Sequence, residues 1–485
     1  MDFYLPSDIY KLEKQLTQSK YTQDELISMA SNSVANFIFS NFADKKHVLI
    51  FCGKGSNAAD GFVLANILSN NYKVTIVKVF SADELSSTAS IALRELNPNV
   101  NLSDLNQDLD DDYDLLVDAI LGIGARAGLA PNIDNGITII NNLKLPTIAI
   151  DIPSGINAST GHSLGNFVRA NFTITFFAPK VGLVLADGRD ASGKIIVSDL
   201  IDSLSMPPAL ISYEYKNIAK NLPTRNQNSH KGNYPSVLIV AGGDGYLGAL
   251  LLCIRTVIKM GAGLVYVVTE DSNIKSTLEL YPTIIITSFA NKHLVDSYID
   301  KSTVCLLGPG ISNELWAKAI LSNVIEKQKR AVIDAGCIRM LGCEANLNNL
   351  ILTPHPGEAA ALLDSTSNSI QQDRLGSITK IVNNYNSVCI LKGSGSIIHS
   401  PNNEVPILCD YGNPGLATAG MGDVLAAMVA VMLGYFTNEL DAASIATYMH
   451  SYAADIIAKD EGCIGIEATD LIDKVHQLIN KKDLI

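Results

Sequence analysis

The chain has 485 residues, 47% of them apolar and 18% charged, with a formal net charge of −13. That length exceeds one ordinary hydrophobic core, so two domains are expected. The acidic balance argues against a nucleic-acid surface, and no Lys/Arg run suggests a local one.

From the N-terminus, MDFYLPSDIYKLEK lacks the basic start and apolar core of a secretion signal. Residues 22–39 predict a helix. The run HVLIFCGKGSNAADGFVLANILSN then gives a strand at 48–52, a tight loop at 53–61 and a helix at 62–68. Strand, glycine loop and helix make the nucleotide-binding start of a parallel α/β sheet, although many α/β proteins turn this way for packing alone. The alternation continues with a strand at 73–80, a helix at 83–96 and a strand at 114–120 that ends in GIGARAG. Another strand at 146–150 ends in Asp151-Ile152-Pro153-Ser154-Gly155, and strands follow at 172–177 and 195–197 with no evident helix between them. This pattern predicts a doubly wound sheet with its ligand at the carboxyl ends of the strands. Asp60, Asp118, Asp151 and Ser154 fall at or just after such ends. One carboxylate there could be a turn former or cap, but three on one rim favour a cation or a proton-transfer site.

GKGSNAADG, VDAILGIG, IDIPSG and FFAPKVGLVLADG resemble, in order and spacing, the NAD(P)H-hydrate epimerase domain, whose first loop carries Asn-Asn-Gly-Gly-Asp. The resemblance implies that Ser56, Asn57, Ala58, Ala59 and Asp60, together with Gly122, Ile123, Gly124, Ala125, Arg126, Ala127 and Gly128, surround a hydrated nicotinamide nucleotide. It further implies that Asn57, Asp118 and Ser154 hold a potassium ion, with Asp151 and Lys180 as substrate contacts and acid–base candidates. Ala58 and Ala59 put methyl groups where the family has bare backbone, so a weakened epimerase is expected.

From 202 to 234 the periodicity fades into Pro207-Pro208 and a polar run, with at most a short strand at 210–215, and the domain boundary is placed at 212. Beyond it, expected strands are 237–240, 264–269, 283–288, 304–307, 331–334, 350–353 and 387–391. Expected helices are 247–260, 313–327, 370–383 and 441–459, which make a second, larger layered α/β domain. Gly242-Gly243-Asp244-Gly245 lacks the Gly-Lys-Ser/Thr ending of a P-loop and is rejected as one. Gly308-Pro309-Gly310 by itself is best read as a turn. His355 is pinned between prolines in TPHPGE; a lone His is usually structural, but a rigid loop at a strand end can place a ligand contact. Lys392-Gly393-Ser394-Gly395-Ser396 offers a cation, hydroxyls and backbone amides to phosphates. A hairpin turn would explain its glycines and not its lysine.

The last stretch, GNPGLATAGMGDVLAAMVAVMLGYF at 412–436, runs from a glycine-rich loop into a helix apolar on every face. Gly415, Gly420 and Gly422 let the backbone bend around a ligand, and the helix start offers free N–H groups to an anion. Asp423 beside it suits a base that accepts a proton from a hydroxyl attacking a phosphoryl group. An Asp at a helix start is more often only a cap.

HKGNYPSVLIVAGG, GAGLVYVVT, LLGPG, LTPHPGE, LKGSGS and GNPGLATAGMGD closely resemble the ADP-dependent NAD(P)H-hydrate dehydratase domain, a ribokinase-like fold. Together the two resemblances cover nearly the whole chain, in the fused arrangement of the bifunctional nicotinamide-nucleotide repair family. They imply that Ala249, Gly310, His355 and Asp423 contact the hydrated nucleotide, and that Lys392 to Ser396 and Gly422 hold the phosphoryl donor. Met421 stands where the family usually has Thr.

The expectation is therefore an α/β protein of two domains, a Rossmann-like doubly wound sheet at 1–212 and a ribokinase-like domain at 213–485. The first would interconvert the R and S hydrates of NADH and NADPH. The second would dehydrate the S form with ADP, releasing AMP and phosphate, or with ATP in its place, with Asp423 as base and Mg2+ on the donor. K+ would serve the first domain. Expected partners are these small molecules, with no nucleic acid, no membrane and self-association into a homo-oligomer. The alternative is a ribokinase-like kinase of a vitamin precursor or sugar, whose first domain is a non-catalytic nucleotide-binding or oligomerising module. Eight cysteines without a C-x-x-C pair read as buried thiols of a reducing compartment. The most apolar segments are too short or too charged to cross a bilayer, so a cytoplasmic location is the default.

Overall fold

The computed structural model describes residues 1–480 except 81–83, 106, 108, 110, 111, 126, 127, 202, 203, 205, 312, 313 and 343–346. The chain divides into two compact units, Met1–Leu210 and Ile211–Ile485. Among the described residues no helix is long and apolar enough to cross a membrane.

The sheet of the first unit comprises β1 (His47–Cys52), β2 (Lys73–Lys78), β3 (Asn101–Asp104), β4 (Leu115–Ala119), β5 (Thr147–Ile150), β6 (Phe172–Phe176) and β7 (Lys194–Ser198). Its order is β3-β2-β1-β4-β5-β6-β7, with every pair parallel. β1, β4 and β5 are buried along their whole length, which is why they read as mainly apolar runs. Strand order reverses between β1 and β4, so the loops leaving their carboxyl ends part and open a crevice. Gly53 lies there, and a Cβ on it would stand 2.0 Å from the Ile120 carbonyl oxygen, so only glycine fits.

The expected loop at 53–61 is a correction. The helix begins at Ser56 and runs Ser56–Leu68, with Gly55 as its N-cap residue. Ala58, Ala59, Phe62 and Ala65 recur at helical spacing and are fully buried in the core, and that burial favours continuing the helix through the polar letters between them. A second correction lies between β6 and β7, where a 3-10 turn Val181–Leu183 and a short helix Gly188–Ala191 intervene. Helices Pro6–Ser19 and Pro131–Leu143 and the exposed edge strand β3 were not legible.

In the second unit the strands are β8 (Leu210–Ser212), β9 (Ser236–Val240), β10 (Leu264–Thr269), β11 (Ile285–Ser288), β12 (Val304–Leu307), β13 (Ala331–Ile333), β14 (Leu350–Leu352), β15 (Val388–Leu391), β16 (Ser396–His399) and β17 (Ile407–Cys409). They run in the order β8-β17-β16-β15-β14-β13-β12-β9-β10-β11. β16 is antiparallel to both its neighbours and the other pairs are parallel. Helix Met421–Tyr435 forms the centre of this unit, buried at Met421 and throughout 424–433. It packs between helices Leu247–Lys259 and Glu439–Glu461. Each of its large apolar side chains contributes roughly 1.5–3 kcal/mol by burial, so its N-terminus is held rigidly.

Candidate functional site

In the first unit two polar clusters follow the strand ends. Asp118, at the end of β4, is fully buried. Its Oδ1 accepts from Ser154 Oγ at 2.6 Å and from the Ile120 N–H at 3.1 Å, and its Oδ2 from the Ser154 N–H at 2.7 Å. Burial pushes its carboxyl up to about 6 against those hydrogen bonds. Asn57, on the first turn of helix Ser56–Leu68, donates to the Leu121 carbonyl at 2.9 Å, and Leu121 N–H donates to Ser154 Oγ at 2.8 Å. Asn57, Asp118 and Ser154 are thus tied together through the chain after β4. They present oxygen donors around a buried carboxylate that no described cationic side chain neutralises, a donor set that fits a hard monovalent cation.

The second cluster centres on Asp151, which follows β5 in the left-handed region at φ 68. Its Oδ1 accepts from Thr175 Oγ1 and from the buried Lys180 ammonium, and Lys180 also donates to Thr175 Oγ1 at 3.0 Å and the Phe176 carbonyl at 3.1 Å. Burial first, then Asp151 and Glu13, push Asp60 well up, with Lys180 opposing. Glu13, from helix Pro6–Ser19, is pushed up to about 7 by burial and by Asp151. Nothing in the sequence pattern marked Glu13. Its helix is brought in by Tyr4, which hydrogen-bonds Pro179 and Val181 on either side of Lys180. Ser56 and Asn57 open the adjoining helix, whereas Ala58 and Ala59 point into the core. Of the GIGARAG loop, Gly122 to Ala125 and Gly128 are described, while Arg126 and Ala127 lie outside the described residues.

In the second unit Gly420 is the N-cap of helix Met421–Tyr435, at φ 88, and no side chain caps the helix. Asp423 therefore sits in the first turn without capping it. Of the three expected hinges only Gly420 has left-handed backbone; Gly422 lies within the helix, and the Cys463 carbonyl crowds Gly415. Asp455 holds the loop by accepting from the Gly412 N–H and the Asn413 amide, both at 2.9 Å. Buried His450, pushed down to about 4 by its burial, donates Nε2–H to the Met421 carbonyl at 3.0 Å.

Asp423 lines a cavity of about 660 Å³ together with Ala249, Gly310, Tyr246, Glu358 and Arg339. His355 is the N-cap of helix Pro356–Leu362: its Nδ1 accepts from the Gly357 and Glu358 N–H groups, and its Nε2 faces Glu358 Oε1 at 3.2 Å. The Lys392–Ser396 segment is the hairpin between β15 and β16, and Lys392 is already engaged by carboxylates outside it. Its ammonium lies 2.7 Å from Asp334 Oδ1 and 3.9 Å from Glu358 Oε2, and Thr353 Oγ1 donates to the same Asp334 oxygen at 2.7 Å. Burial alone would lower Lys392, but Asp334 and Glu358 outweigh it and hold the ammonium above its ordinary value. Burial, then Asp334, pushes Asp423 up to about 6, with Lys392 opposing. Asp334 and Glu358 escaped the sequence reading as site residues; Glu358 stands in the quoted TPHPGE, and Asp334 ends an expected strand. Of the thiols, six described cysteines are buried but Cys463 is exposed, against expectation, and Cys343 lies outside the described residues.

Residues 237–477 match the family described as NAD(P)H-hydrate dehydratase, and residues 23–182 match the YjeF-related protein N-terminus. A bifunctional NAD(P)H-hydrate repair enzyme of Coxiella burnetii is 32% identical, covering 98% of this chain and 99% of its own. The chain belongs to the bifunctional NAD(P)H-hydrate repair enzymes. The Escherichia coli repair enzyme is 33% identical over 94% of this chain and 89% of its own. Among solved structures, a ribokinase-like superfamily protein of Enterococcus faecalis superposes on 58% of this chain and 98% of its own with a TM-score of 0.52 and 24% identity. An ADP/ATP-dependent NAD(P)H-hydrate dehydratase of Bacillus subtilis, co-crystallised with ATP/Mg2+, covers 55% of this chain and 96% of its own with a TM-score of 0.50 and 24% identity. Both show the ribokinase-like fold. Full-length likeness to fused repair enzymes disfavours the vitamin or sugar kinase reading.

Proposed function

We propose that this repair enzyme restores hydrated NADH and NADPH, with residues 1–212 epimerising the R and S hydrates and residues 213–485 dehydrating the S form at the expense of ADP or ATP. What supports the second half is the convergence of Asp423, Ala249 and Gly310 on one cavity at the start of a buried helix. Asp423 accepts the proton of the C6 hydroxyl as its oxygen attacks the terminal phosphorus of the donor. The bond to the leaving AMP breaks (ADP leaves where ATP is the donor), and phosphate then leaves C6 as a proton is lost from C5, which restores the ring double bond. Donor phosphates lie at the helix start, beside Gly422 and the backbone amides of the Lys392–Ser396 hairpin. A magnesium ion carried in on the donor would be held by the carboxylates that line the cavity, Asp423 and Glu358. Bound there, it neutralises the donor's phosphates.

In the first half Asp151, with Lys180 fixed beside it, moves the proton that epimerisation requires, while Asn57, Asp118 and Ser154 hold potassium. Ser56 and Asp60 of the SNAAD segment, with the GIGARAG loop, line the nucleotide, while Ala58 and Ala59 stay in the core. His355 acts through its capped loop, which sets the position of Glu358. The proposal includes a cytoplasmic location and a homo-oligomer, the latter tested by light scattering. Incubating the full chain with mixed NADH hydrates and ADP should return the absorbance of NADH with stoichiometric phosphate. A phosphorylated product that accumulates without NADH would establish a simple kinase instead.

A further inference from the structure

The cavity that holds Asp423 is electrically mismatched to a dinucleotide. Asp423 and Glu358 both line it, and a hydrated dinucleotide brings two pyrophosphate charges, with a 2′-phosphate besides in the NADPH form. Lys392 does not balance them, because its ammonium is already set between Asp334 at 2.7 Å and Glu358 at 3.9 Å. Donor phosphates have the free N–H groups of the Met421–Tyr435 helix start. The start of helix Leu247–Lys259, which no side chain caps, also lines the cavity at Gly248 and Ala249, but a helix end supplies only a partial positive charge.

Arg339 is the one cationic side chain among the described residues lining this cavity. It stands on the 3-10 segment Ala335–Met340 that leaves β13, and its neighbours Cys337 and Ile338 are fully buried, which fixes the segment's position. Arg339 itself is exposed, and no described side chain or carbonyl engages its guanidinium. An exposed arginine is ordinarily just solvated. This one is mounted on a buried turn and faces a cavity whose other charged lining groups are the carboxylates Glu358 and Asp423, with its planar fork available for bidentate contact with phosphate.

We propose that Arg339 binds a phosphate of the dinucleotide substrate, as distinct from the phosphoryl donor. The proposal rests on the reading that hydrated dinucleotides enter this cavity, and its test separates the two. Arg339→Ala and Arg339→Lys are compared with the unaltered full chain, with thermal melting as the check on folding. KM for the hydrates should rise about 10- to 100-fold in Arg339→Ala, with kcat and the ADP KM nearly unchanged, since a ground-state contact is lost. Arg339→Lys should recover part of the loss. An equal rise with NADH and NADPH hydrates assigns the contact to the pyrophosphate, and a rise confined to the NADPH form assigns it to the 2′-phosphate. Unchanged KM for both hydrates, or a rise for ADP alone, would overturn the proposal. Calorimetric titration of each hydrate without donor reads the contact independently of turnover. Wild-type binding that Arg339→Ala weakens, without any turnover, would remove the functional reading and leave the phosphate contact standing.

Discussion

At the scale of single residues, the Lys392–Asp334–Glu358 cluster changes what Asp423 and its neighbours should do when altered. Asp423 does not cap its helix, so Asp423→Asn should leave folding and donor binding intact. The loss of a positioned base should lower dehydration roughly 100- to 10,000-fold; retention of a tenth or more of the activity would remove Asp423 from the chemistry. The base must be ionised to act and its carboxyl is pushed up to about 6. Activity should therefore rise with pH through about 6 and then level. Lys392 is one of the groups that keeps Asp423 from rising further, so Lys392→Met should move that acid limb to higher pH. It also strands two carboxylates, at a cost of about 3–5 kcal/mol. An unmoved limb in a folded Lys392→Met protein would show that the lysine serves the donor alone. Arg339, Asp334 and Glu13 were invisible in the sequence because their meaning comes from partners far along the chain: Asp334 and Lys392 are 58 positions apart.

At the scale of elements, helix Ser56–Leu68 reverses an expectation. Ala58 and Ala59 have ordinary helical backbone and buried methyl groups, so restoring glycine at both should not release strain. Each Ala→Gly should cost about 1 kcal/mol in helix propensity, with a further loss of buried methyl surface. The double variant should melt at a lower temperature with no gain in epimerisation, and faster epimerisation would mean that these methyls do press on the substrate. Buried strands such as β1, β4, β12 and β15 were legible because parallel strands covered on both faces are simply apolar. The edge strand β3, exposed at Asn101 and Leu102, carries no such signal. Helix Ser56–Leu68 was misread because Asn57, Asp60 and Gly61 resemble turn residues, and only the burial of its alanines reveals the inward face. The Lys392–Ser396 turn was legible as glycine-rich, yet its lysine is spent on Asp334, just past β13, which local pattern cannot show.

At the scale of the whole molecule, each unit has its own sheet, its own core and its own carboxylate cluster, so damage to one should leave the other's chemistry measurable. In the full chain Asp151→Asn should dehydrate pure S hydrate at the normal rate. With mixed hydrates it should give a fast phase for the S form and then a slow phase limited by spontaneous epimerisation; a single fast phase would show that Asp151 is not needed. The buried carboxylate of Asp118 has a thermodynamic corollary. Its carboxyl is pushed up to about 6 in the folded unit, so folding is opposed once pH climbs past its unfolded value near 4. Near neutrality that opposition is on the order of 2–3 kcal/mol. A potassium ion beside it would relieve the cost, and only the folded chain offers the site. Melting temperature should then climb with potassium chloride at neutral pH, by about 1.4 kcal/mol of stability per tenfold once the site fills. It should climb less at pH 5, where Asp118 is largely protonated, and stay flat with tetramethylammonium chloride. Folding itself would thus be coupled to the ion's concentration, and the first unit would be sturdiest where potassium is abundant.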